Sequence, residues 1–83
     1  MTIYQRAEDA LRLWQTLVPC SPPPMKQFIV WLSQFSDASV ERAIMRVSDK
    51  YRTGKFNTDT PDEVAHRYAT GVMVNLRREQ SAA

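Results

Sequence analysis

Eighty-three residues, 43% of them hydrophobic and 24% charged, are enough for one small globular domain and exclude a disordered chain. Eleven basic against nine acidic residues leave a net charge of +2, too balanced to demand nucleic acid as a partner. Cys20 stands alone, which excludes an internal disulfide and favours a cytoplasmic setting, and no run of ~18 apolar residues is present to span a membrane.

The spacing of apolar residues predicts four helices. The first runs from about Ile3 to Val18. Ile3, Ala7, Ala10, Trp14 and Leu17 recur at helical intervals, Leu11 and Val18 widen the stripe, and Pro19 stops it. Pro19 to Pro24 form a stiff connector, in which Ser21 is a candidate cap and Pro22 a candidate first helical residue.

The second helix is expected over about 23–35. Met25, Phe28, Ile29, Leu32 and Phe35 face one way, Trp31 sits at the edge, and Val30 lies opposite. Ser36 or Asp37 caps the third helix, expected over about 38–53, whose inner stripe is Val40, Ala43, Ile44, Val47 and Tyr51. Gly54 is a left-handed stop. Phe56, in the loop that follows, is expected to tuck into the core.

The fourth helix, about 61–79, is the best marked. Thr60 is placed to cap it, Pro61 suits its first position, and Glu63 completes a capping box. Ala65, Tyr68, Ala69, Val72 and Leu76 form its stripe. Gly71 lies off that stripe, where a glycine costs roughly 0.5–1 kcal/mol relative to alanine. Close approach of another backbone is one reason to keep it, and then Gly71→Leu would destabilise the fold or block association.

Together these elements predict an all-α fold, a compact bundle of four helices. Residues 1–79 form a single domain, and 80–83 are a tail expected to fray. Trp14, Trp31, Phe28, Phe35, Tyr51 and Tyr68 are expected to fill the core, so truncating Trp31 or Leu32 should unfold the domain.

No catalytic constellation is visible. His66, the sole histidine, has Asp62 one turn before it but no nucleophile or further metal ligand at a recognisable spacing. The expectation is a protein that is not an enzyme and carries no cofactor or metal. Two outward faces are more informative. On the third helix Arg42, Met45, Arg46 and Asp49 project together, flanked by Lys50 and Arg52. On the fourth, Arg67, Gly71, Val74 and Arg78 project beside Arg77. An exposed valine next to a glycine and between arginines suits a helix, a protein or a nucleic-acid backbone.

Val40-Glu-Arg-Ala-Ile-Met-Arg-Val, a linker holding Lys55-Phe, and Tyr68-Ala-Thr-Gly-Val-Met-Val-Asn-Leu resemble the small helical domain of phage and plasmid replication initiators. They are also similar to the DnaD-type domain of helicase-loading primosome proteins. That family often ends in a tyrosine, two aliphatic residues four and five positions on, and a tryptophan three later. Tyr68, Val72 and Met73 match, and Leu76 stands where the tryptophan would be. The resemblance covers about half the chain. It implies contacts with DNA and the helicase machinery, with Arg77 and Arg78 as the basic continuation. The expected function is a binding module contacting DNA phosphates or a replication protein through the third and fourth helices. The alternative is a protein-interaction adaptor or small homodimer with no nucleic-acid role.

Overall fold

The computed structural model describes residues 2–54 and 61–82. Among the described residues the secondary structure is helical throughout: α1 (Ile3–Leu17), α2 (Met25–Gln34), α3 (Asp37–Arg52) and α4 (Pro61–Ala82). The expected all-α bundle is observed. Phe56 and the cap at Thr60 fall outside the described residues.

The helix limits follow from local chemistry. α1 starts with a capping box. The Thr2 hydroxyl accepts from the Gln5 N–H at 3.2 Å, and the Gln5 side chain accepts from the Thr2 N–H at 3.0 Å. α1 ends at Leu17, one residue earlier than expected, because Val18 precedes a proline and is held extended.

The same rule moves the start of α2. Ser21, Pro22 and Pro23 each precede a proline, which disfavours helical ψ, so the helix cannot begin before the last of the three prolines. Pro24 is the N-cap, with ψ 156° and no side-chain cap, and Ser21 and Pro22 lie outside the helix rather than at its start. α3 begins at Asp37 under Ser36, whose hydroxyl accepts from the Ser39 N–H at 3.2 Å. Gly54 closes the end of α3 at φ 70°. α4 continues to Ala82, past the expected end at Glu79, since Gln80, Ser81 and Ala82 include no helix breaker.

Cross-chain contacts define the topology. Arg6 pairs with Asp37, and the Ser48 hydroxyl donates to the Leu17 carbonyl at 3.0 Å, so α1 and α3 run in the same direction. The Trp31 indole donates to Thr70 at 3.1 Å and the Arg77 guanidinium lies over the Phe35 ring, so α2 and α4 also run in the same direction. Phe35 leads directly into α3, which sets the far end of α4 beside the start of α3. The two helices therefore pack antiparallel, and Lys50 meets Tyr68 near the opposite end.

The core is built on three rings. Phe28 meets Trp14 and Trp31 edge-on at 6.3 and 5.5 Å, while the two indoles stack at 6.5 Å. Both indole N–H groups are satisfied, Trp31 by Thr70 and Trp14 by the Cys20 carbonyl at 3.3 Å. Trp31, expected at the edge of its stripe, is fully buried. Tyr51 and Tyr68, expected to fill the core, are only half-buried and pack against its edge. Met73 takes central space instead, at 0% exposure, because it falls four residues after Ala69 and three before Leu76.

Arg6 and Asp37 form a forked pair in which the Arg6 Nε donates to both carboxylate oxygens at 3.0 and 3.1 Å. That donor holds the Asp37 carboxyl below the usual carboxylate range. A depressed folded value means that the contribution is present above the unfolded value of about 3.9 and is lost as pH falls through the folded one. The pair is partly solvated, so Asp37→Asn should cost no more than about 1 kcal/mol at neutral pH. It should also flatten the acid limb of a urea-denaturation series below about pH 4. An unchanged acid limb would mean that the pair contributes nothing.

Candidate binding surface

α3 buries Val40, Ala43, Ile44 and Val47 and turns the other side outward. Arg42 and Arg46 are exposed, and Met45 between them is 54% exposed, a large apolar side chain left in water. Among the described residues neither arginine forms an ion pair. Of the two acids that interrupt this face in the sequence, Asp49 is turned to Arg52 at 3.6 Å, an i,i+3 pair, and Glu41 is exposed beside Arg42. Arg42, Arg46 and Lys50 follow one another at four-residue steps, a row with a repeat of roughly 6 Å along the helix axis.

On α4 the exposed residues include Arg67, Gly71, Asn75 and Arg78, and no acid occurs from Val64 to Arg78. The Lys50 ammonium lies 5.0 Å from the Tyr68 ring centroid and links the two helices there. A shallow cleft of about 240 Å³ opens at the same place, lined by Arg46, Asp49, Lys50, Thr53 and Tyr68. Arg46 lies one turn before Lys50, and Gly71 lies three residues after Tyr68. Arg46 and Lys50 border the α3–α4 seam at this cleft, while Arg67, Gly71 and Arg78 lie on the exposed side of α4.

Two of the expected site residues are placed differently from the sequence reading. Val74 is not an exposed valine; it is half-buried and packed against the core. Its surroundings include the region of α4 that meets α2, where Trp31 reaches Thr70 and Phe35 lies beneath Arg77. Arg77 remains exposed, but its guanidinium rests 4.9 Å from the Phe35 ring centroid.

Gly71 is corrected too. A Cβ built there would meet nothing within 4 Å, so among the described residues no other helix passes close. Gly71→Leu therefore meets no clash inside the fold, contrary to the expected destabilisation through close approach. Gly71→Ala should raise stability by about 0.5–1 kcal/mol, because alanine restricts the unfolded chain and favours the helix. Urea denaturation checks this, and a loss of stability would point to an unseen constraint at the site.

Asp62 and His66, one turn apart on α4, both reach the backbone of Ser21. The Asp62 carboxylate accepts from the Ser21 N–H at 3.3 Å, and His66 Nε2 lies 3.2 Å from the Ser21 carbonyl. The His66 ring also meets Trp14 edge-on at 5.4 Å. Both side chains grip the proline connector. Burial pushes the Cys20 thiol up, which keeps it protonated and a poor nucleophile. Among the described residues no three His, Cys, Asp or Glu side chains gather where they could hold a metal, and no helix is long and apolar enough to cross a membrane.

Comparison with known protein families, with characterised proteins and with solved structures finds no match.

Proposed function

We propose that this chain is a non-enzymatic binding module that lays its α3–α4 seam along the phosphate backbone of DNA, in a replication- or phage-related setting. The observation that carries this reading is the set of exposed arginines on α3 and α4, Arg42, Arg46, Arg67 and Arg78, none of which forms an ion pair among the described residues. A domain of balanced charge that leaves these cations unpaired on adjoining helices presents a local field suited to a polyanion. Gly71 supports the same reading, because the bare backbone there lets a strand come close. The resemblance to the helical domain of replication initiators points in the same direction.

The arginines position phosphates rather than read bases, since α3 carries no Asn or Gln beside Arg42 and Arg46. Binding is therefore weak and blind to sequence. Amide NMR of the labelled chain with a short duplex tests this. Shifts concentrated on residues 42–50 and 67–78 are expected. Shifts spread over α1, or none at saturating DNA, would overturn the reading.

One observation favours a second reading, a protein-interaction adaptor or homodimer. Met45 is a large apolar side chain on the outer face, and such residues are enriched in protein interfaces. This reading places Met45 in the contact and predicts binding that responds little to salt.

A further inference from the structure

A second concave surface lies between α1 and α3, away from the basic seam. It is an apolar notch of about 200 Å³. Its floor is the core itself, reached through Ala10, Leu32 and Val40. Ala10 and Leu32 keep 8% and 7% exposure there, against 0% for Ala7 and Ala43. The small Ala10 side chain makes the notch, because a larger residue would fill the gap between the two helices. Half-buried Leu13 forms part of one wall.

The rims are acidic. The parallel register that sets Arg6 against Asp37 and Leu17 against Ser48 also brings Asp9 of α1 across from Glu41 of α3. Both are exposed, and neither forms an ion pair among the described residues. The Arg6–Asp37 pair borders the same notch, and its two charges neutralise each other. The charge left at the rim is that of Asp9 and Glu41. A phosphate or carboxylate is repelled here, whereas a purely apolar side chain would leave both carboxylates without a counterion.

The side chains that satisfy both parts are lysine and arginine, which combine an apolar stem with a cationic head. We propose that the notch docks a lysine- or arginine-bearing segment of a partner protein. The methylenes lie on Ala10, Leu32 and Val40, and the cation sits between Asp9 and Glu41. Leu13 covers an apolar neighbour of the docked residue. The site is independent of the phosphate-binding seam, and each can fail without the other.

The test uses the full chain and a short acetylated peptide of repeating Lys-Leu-Ala-Lys, with a Glu-Leu-Ala-Glu peptide as control. The basic peptide should bind saturably and shift the amides of Asp9, Ala10, Leu13 and Glu41, while the control should not bind. Asp9→Lys with Glu41→Lys should weaken binding at least about tenfold. Both positions are exposed, so the fold should persist, as far-ultraviolet dichroism will show. Leu13→Ala should also weaken binding, which a diffuse attraction to surface acids would not require. The proposal is overturned if the charge reversal leaves binding unchanged, if the shifts fall elsewhere, or if the basic peptide does not bind. It is also overturned if sedimentation shows mass growing with concentration in a way that Glu41→Lys abolishes. Seam-to-groove contact between copies is heterologous and forms open chains, so such growth would identify the occupant as a second copy.

Discussion

Trp31→Ala should lose about 3–5 kcal/mol of stability, the range for emptying a buried aromatic site. For a domain of this size that corresponds to a fall of about 12–40 °C in the unfolding midpoint. The indole is 1% exposed, packs edge-on against Phe28 and stacks with Trp14, so its removal leaves a cavity bordered by two other large rings. It also removes the hydrogen bond to Thr70, one of the contacts that tie α2 to α4. Trp31→Phe should keep much of the packing while losing that bond, and should fall between wild type and Trp31→Ala. Thermal and urea unfolding followed by dichroism checks the order. A cost for Trp31→Ala below about 1 kcal/mol would mean that the three-ring cluster does not hold the core together.

Changing Arg42 and Arg46 together to alanine should weaken DNA binding to a similar degree for all sequences and leave the helices intact. Each arginine that neutralises a phosphate releases condensed counterions, with a contribution of about 0.9 to the slope of log affinity against log salt. Losing two should flatten that slope by about 1.8. Both side chains are exposed on the face of α3 opposite Val40, Ala43, Ile44 and Val47, so the core is untouched. A double variant that binds with the wild-type slope would remove α3 from the interface. Loss of helicity in that variant would show that the two arginines serve the fold.

Much of the fold was legible because each helix carries one apolar stripe, and α1 and α3 each end at a physical stop. Pro19 and Gly54 act locally, and the ends they mark fall within a residue of expectation. The start of α2 was missed because a proline acts on the residue before it as well as on itself, and three in a row delay the helix until they are passed. The Thr2–Gln5 capping box was not foreseen, although a threonine with glutamine three residues on is its sequence signature.

The burial of Met73 and Trp31 was harder to see. A helical wheel gives the direction of a side chain but not the width of the surface that neighbouring helices cover. The same limit explains Val74 and Gly71. Both project away from the main stripe of α4, yet Val74 packs against the core and Gly71 is left bare. The meeting of Lys50 with Tyr68 at the α3–α4 cleft was not legible, because it depends on α3 and α4 packing antiparallel. Neither helix specifies that alone. The acidic notch was equally hidden, since Asp9 and Glu41 are far apart in sequence and meet only through the parallel register of α1 and α3.

The most direct test of the proposed phosphate-binding surface is a fluorescence anisotropy titration of labelled duplex DNA with the wild-type chain at about 50 and about 200 mM salt. Four phosphate contacts, from Arg42, Arg46, Arg67 and Arg78, predict a slope of about −3.6 and a loss of affinity of about 100-fold between the two conditions. No binding at the lower salt, or binding of equal strength at both, would contradict the account and leave Met45 as the residue around which to seek a protein partner.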